Sequence, residues 1–189
     1  MCQGNQNSDL VLDSNGFSPG EPWQSCLIFF MEMNYITCPL NKNTFKNRPI
    51  REYVESNCTG KVLNLFAGET ILSVDEVRND IDITKIAEYR KDAFDFVREW
   101  AGYPFDTIIL DPPYSYRKSM EFYNGFKNSK FKLIKDHIPR ILNEKGRVIT
   151  FGYQSINMGK SRGFKLIKLC VFSHGGAIHD TLCSIEERN

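Results

Sequence analysis

The 189-residue chain reads as an α/β domain whose mostly parallel sheet is closed by a C-terminal antiparallel hairpin. Three observations predict this class. Apolar runs of strand length, at 61–66, 105–110 and 146–151, alternate with segments of helical period. Two long strand-like stretches, about 164–172 and 178–186, flank the turn His174-Gly175-Gly176. Between the early strands the connections are short, so the first crossover helices must be truncated or replaced by loops.

In chain order, residues 1–22 are rich in Asn, Gln, Ser, Gly and Pro without a period and predict a flexible tail. A single domain is expected over 23–189, with the aromatic and apolar stretch 23–38 packing onto it. Pro49 marks the first position of a helix. Strands follow at 61–66 and 76–81, with a weaker third at 87–90. Ala93, Phe94, Phe96, Val97 and Trp100 recur at helical spacing, and Gly102 ends that helix. After the strand 105–110, Phe131, Ile134, Ile138 and Ile141 share one face of a helix over 131–142, which Pro139 should kink or split.

Composition excludes several classes. No stretch reaches the ~20 apolar residues of a membrane span, and 26–31 is too short and lacks the basic lead of a secretory signal. A cytoplasmic setting is expected. Six scattered cysteines without CxxC or His spacing predict reduced thiols and no metal. The net charge of +1 hides a segregation: residues 1–114 carry 10 Lys/Arg against 17 Asp/Glu, whereas 115–189 carry 14 against 6. A basic half predicts a polyanionic partner.

The most specific feature is Asp111-Pro112-Pro113-Tyr114, directly after the apolar run 105–110. The prolines stiffen the turn and remove two backbone donors, while their carbonyls can still accept. A carboxylate, a stiff carbonyl and an aromatic face together suit a planar base bearing an exocyclic amine. The tetrapeptide resembles the catalytic motif of the amino-methyltransferases, which methylate an exocyclic nitrogen of a nucleobase with S-adenosylmethionine. The resemblance extends upstream in the family's order. Phe66-Ala67-Gly68 after a strand resembles its cofactor turn. Asp80 ends the next strand, where an acid would accept from ribose hydroxyls. Asp92-Ala93 resembles the adenine-contacting motif, and Thr44-Phe45, followed by Pro49-Ile50, the N-terminal motif that closes over the methionine end. The resemblance thus implies a Rossmann-like class I methyltransferase sandwich, with S-adenosyl-L-methionine as cofactor.

In its shortened pattern the chain resembles compact DNA adenine-N6 methyltransferases of phage or mobile-element type. This implies transfer to a flipped adenine in duplex DNA, with a homodimer left open and no membrane partner. Asp111 and the Pro112 carbonyl would hold the amine, and Tyr114 would stack on the base. Arg117 and Lys118, just beyond the turn, and Lys160 and Arg162, in the loop 159–163, are candidate phosphate contacts. The chain departs from the family's pattern in three ways: only eleven residues separate Gly68 from Asp80, the next crossover, Asp82 to Glu88, is equally short, and the usual second glycine is missing. Cytosine N4, guanine N2 in ribosomal RNA, and a nucleic-acid-binding subunit with a decayed cofactor site remain open. No Pro-Cys dipeptide occurs, so covalent attack on cytosine carbon 5 has no candidate nucleophile.

Overall fold

Residues 31–112, 131–176 and 179–189 are described by the computed structural model. The strands are β1 (Glu32–Thr37), β2 (Val62–Asn64), β3 (Glu76–Arg78), β4 (Phe105–Leu110), β5 (Leu142–Gly152), β6 (Phe164–Ser173) and β7 (Thr181–Arg188). The helices are α1 (Arg48–Asn57), α2 (Ala93–Glu99) and α3 (Phe131–Ile141). They build one seven-stranded sheet in the order β1-β6-β7-β5-β4-β2-β3. Every pairing is parallel except the two made by β7, which runs against both β5 and β6.

Period two along the strands sorts the core onto the two faces of this sheet. Leu63, Ile108, Leu110 and Val148 join Phe96 and Val97 of α2 and Ile134, Ile138 and Ile141 of α3. Val62, Ile109, Ile149 and Phe151 join Ile50 and Val54 of α1 on the other face. β4 has apolar residues on both faces because it lies mid-sheet, and it reads as a continuous apolar run for that reason. Each such Leu, Ile or Phe contributes about 1.5–3 kcal/mol on burial.

Chain order and spatial order disagree at one place. From β2 the chain steps outward to β3, then returns to β4 on the opposite side of β2. The carboxyl ends of β2 and β4 therefore flank a topological switch point, where open α/β sheets form their ligand crevice. Phe66-Ala67-Gly68 follows β2 and Asp111-Pro112 follows β4.

Both early crossovers are loops, as the spacing requires: residues 65–75 and 79–92 contain no helix. The weak third strand is reduced to a single parallel bridge between Asn79 and Tyr89. Pro139 neither kinks nor splits α3 into two helices. It falls in the last turn, where its missing N–H removes one bond, and the helix stops two residues later. β1 was not expected as a strand. It pairs with β6 in parallel, at the sheet edge, with Met33 and Tyr35 facing out (65% and 68% exposed). Apolar residues on its outer face hide the alternation that would otherwise betray it. The second hairpin strand begins at Thr181, three residues later than its sequence suggests. The expected tail at 1–22 lies outside the described residues.

Candidate active site

Gly68 is the pivot of the crevice. Its φ of +59° lies in the left-handed region that favours glycine, and a Cβ built there would meet no atom within 4 Å. The residue thus turns the chain and leaves open space in front of it. Its N–H donates to Asp80 Oδ2 at 2.8 Å, and its carbonyl accepts from Arg78 Nη2 at 3.1 Å. The Ala67 N–H donates to the Asn79 carbonyl (3.0 Å), and the Leu65 N–H to that of Ile109 (3.2 Å). The turn is therefore bonded to β3's end on one side and to β4 on the other.

Asp80 is buried, 4% exposed, so it is no surface turn acid. Besides Gly68 it accepts the Asp82 N–H on Oδ1 at 2.9 Å. Its neighbour Asn79 reaches both ways. The Asn79 amide donates to the Leu65 carbonyl (3.3 Å) and the Lys91 carbonyl (3.0 Å), and accepts from the Lys91 N–H (3.2 Å). This clamp brings Asp92 to the same crevice. Asp92 caps α2, its Oδ1 accepting from the N–H groups of Phe94 (2.9 Å) and Asp95 (3.3 Å). Among the described residues no donor reaches its Oδ2. Ala93 is the first residue of α2 and is buried. Phe66 is half-buried against the core on the α2 face.

The turn 43–46 is drawn to the same place by Glu69. Glu69 takes Lys46 Nζ at 2.6 Å, Lys85 Nζ at 3.1 Å and Asn43 Nδ2 at 3.3 Å. These contacts join three loops in front of the glycine turn, and the two lysines hold the Glu69 carboxyl below its usual range. Thr44 opens that turn. Phe45 is committed to the core, 4% exposed with its ring edge-on to Phe151 at 5.5 Å.

On the far side of the switch point, Asp111 is half-buried and Pro112 buried. Burial first, then the nearby Cys170 and Asp111, push the fully buried Cys183 thiol well up. Pro113, Tyr114, Arg117 and Lys118 lie outside the described residues. Lys160 and Arg162 are placed elsewhere. They precede Phe164, which pairs with Arg188 at the end of the sheet where β4 and β5 enter. Nine steps of β6, at ~3.3 Å each, put roughly 30 Å between that end and the carboxyl ends. Arg162 is also engaged internally, by Asp136 on α3 at 2.7 Å and the Met158 carbonyl at 2.9 Å. The structure places Phe66, Ala67 and Gly68 beyond β2, Asp80 beyond β3 and Asp111 beyond β4, at the same end of the sheet. It ties the turn that holds Thr44 to Glu69 and the loop before Asp92 to Asn79, and puts Lys160 and Arg162 at the opposite end.

Two further features lie at this end of the sheet. Arg78, 3% exposed, backs the glycine turn; an arginine inside the short strand Glu76-Val77-Arg78 was the available signal. Tyr153, directly after β5, sets its ring 5.4 Å from that of His179 beside the hairpin, at the carboxyl end of the sheet. An open backbone turn, an acid just beyond β3, an acid at the start of α2 and an acid-proline pair across the switch point can hold a nucleoside and present a carboxylate to a second molecule.

Comparison with known proteins finds no family model that matches the chain and no curated protein similar to it in sequence. Solved structures do match. SMU.776, assigned as a methyltransferase and complexed with SAH, aligns with TM-score 0.55 and 14% identity, over 77% of this chain and 50% of its own. NodS, an N-methyltransferase from Bradyrhizobium japonicum WM9, aligns with TM-score 0.53 and 11% identity, over 79% and 99%. A protein from Streptococcus mutans, assigned as a SAM-dependent methyltransferase, gives TM-score 0.50 and 15% identity, over 74% and 48%. The chain spans half the length of SMU.776 and nearly all of NodS. At these identities the likeness is one of fold: the chain has the Rossmann-like class I methyltransferase fold.

Proposed function

We propose that this protein transfers a methyl group from S-adenosylmethionine to the exocyclic N6 amine of adenine in DNA. The observation that carries the reading is the position of Asp111-Pro112, at the carboxyl end of β4 and across the switch point from the Gly68 turn. The residues present fit the cofactor: Gly68 keeps open space in front of it, Asp80, just beyond β3, holds the Gly68 N–H, and Asp92 caps α2 at the end of the second loop.

The cofactor, when bound, supplies a methyl group on a sulfonium centre. The chain's part is to make the amine a nucleophile. An adenine amine is weak because its lone pair is delocalised into the ring. The Asp111 carboxylate and the Pro112 carbonyl accept its two N–H bonds and draw the nitrogen towards tetrahedral geometry. The nitrogen then bonds the methyl carbon as the carbon–sulfur bond breaks, sulfur keeping that electron pair as a neutral thioether. The surplus amine proton passes to Asp111 and on to solvent. Positioning and fixed acceptors supply the acceleration. Tyr114 stacks on the extruded base, offsetting a flipping cost of a few kcal/mol. Arg117 and Lys118, three and four residues further along the chain, are the phosphate contacts of this reading. Lys160 and Arg162 are not part of this reading, since their end of the sheet is the wrong one.

The test is methyl transfer from labelled S-adenosylmethionine to duplex DNA and, separately, to total RNA, followed by identification of the nucleoside. N6-methyladenine in DNA alone is expected. Label in cytosine, or only in RNA guanine, would replace the substrate and keep the chemistry. Nucleic-acid binding without label in either would mean a decayed cofactor site.

A further inference from the structure

We propose that Arg78 is a positioning residue of this site, doing for the glycine turn what the missing crossover helices do elsewhere. The inference rests on the methyltransferase reading for its functional half only. A crossover helix satisfies its own backbone and holds the strand-end turn rigid. Here the segments 65–75 and 79–92 are loops, and their carbonyls need other donors. Arg78 supplies them from within. Nη1 donates to the Thr70 carbonyl (2.7 Å) and Glu76 Oε1 (2.5 Å), Nη2 to the carbonyls of Ala67 (3.2 Å) and Gly68 (3.1 Å), and Nε to that of Ile86 (2.7 Å).

One planar fork thus spans both loops. Its charge is met by Glu76, equally buried, which also accepts the Leu72 N–H at 2.9 Å and the Asn64 amide at 3.0 Å. The Arg78 N–H is taken by Glu88 Oε2 at 2.8 Å, which ties down the second loop again. Two acceptors of the fork are the peptide carbonyls on either side of the Gly68 N–H, and that N–H is held by Asp80. The orientation of the turn is therefore set from both of its faces, by a side chain that lies behind it. Lysine cannot substitute: three donors on one flexible point do not reach two loops.

The test compares Arg78→Lys with Arg140→Lys as control. Arg140 also serves three carbonyls, those of Val97, Arg98 and Trp100, but at the end of α2 remote from the turn. The first readout needs no cofactor. Amide hydrogen exchange in Arg78→Lys should rise in both loops together, while Arg140→Lys raises it only at α2. The second is calorimetric binding of S-adenosylhomocysteine. Losing charge-assisted bonds to the turn should weaken it about ten-fold or more in Arg78→Lys, leave it unchanged in Arg140→Lys, and leave kcat at saturating cofactor near the parent value. If Arg78→Lys does not fold, Glu76→Gln, which keeps the fork and removes its counter-charge, should show the same pattern more weakly. Exchange that rises in one loop alone, or unchanged affinity with loosened loops, overturns the proposal. The expected exchange pattern in the two variants, together with a parent protein that binds no S-adenosylhomocysteine, sinks the methyltransferase reading instead.

Discussion

Replacing Gly68 by alanine separates the cost of bending the chain from the cost of filling the site. At φ +59° an L-residue is strained by roughly 1–2 kcal/mol. The new methyl group meets nothing within 4 Å, so packing adds no penalty. For a domain of this size, each kcal/mol lowers Tm by about 2–4 °C, which gives a fall of about 2–8 °C. The open space is also where the cofactor must approach the backbone, so its binding should weaken by more than that strain explains. Gly60→Ala is the contrast. Its φ is +53°, but the added Cβ would lie 2.0 Å from Asp106 Oδ2, the oxygen that accepts the Lys61 N–H. That variant should lose more stability than Gly68→Ala and keep its cofactor affinity. Thermal melts and calorimetric titration with S-adenosylhomocysteine on both variants decide it. Undiminished affinity in Gly68→Ala would mean that the ligand does not occupy the space in front of the turn.

Asp111→Ala should abolish methyl transfer while cofactor affinity stays near the parent value, because Asp111 serves the target amine; a large loss of affinity would move it to the cofactor side. Asp80→Ala leaves the part-buried N–H groups of Gly68 and Asp82 without their acceptor and should cost about 1 kcal/mol for each, read as a lowered denaturant midpoint together with weakened cofactor binding. Arg162→Ala should lower stability by about 1 kcal/mol through its contact with Asp136, whereas Lys160→Ala should change neither stability nor transfer. Burial pushes the Cys58 and Cys170 thiols up to about 12, from an ordinary value of 9.0. The fold therefore favours their neutral form, and stability is complete below pH 9 and falls as the pH climbs from there towards 12. Denaturant midpoints between pH 8 and 11 should show the fall, and native protein at pH 8 should resist alkylation at both residues.

The parallel sheet, its hairpin and the site's order along the chain were legible because each rests on local chemistry. A buried run ending in Asp111-Pro112, an acid before a helical period at Asp92 and a glycine after an apolar strand each carry their meaning within a few residues. Even the truncated crossovers followed from counting between Gly68 and Asp80. What could not be read were the long-range bonds that compensate for the truncation. Nothing in Glu76-Val77-Arg78 says that the arginine turns inward, since that depends on two loops lacking helices at once. Glu69 is equally mute, because its partners Lys46 and Lys85 stand 23 positions before it and 16 after it. Lys160 and Arg162 read as phosphate contacts from composition alone; only the register of β6 shows which end of the sheet they occupy.

The pairing of β1 with β6 has a consequence for how the chain is made. Glu32 lies beside Lys168 and Thr37 beside Ser173, partners 136 residues apart in sequence. Closing so long a loop is entropically slow, and its partner strand must first exist. During synthesis the earlier segment therefore leaves the ribosome well before its neighbour and waits, with Met33 and Tyr35 uncovered, until residue 173 has followed. The strand translated first among those of the sheet is among the last that can dock. Until it does, β6 presents a bare edge of unpaired amides, open to any extended segment that reaches it sooner.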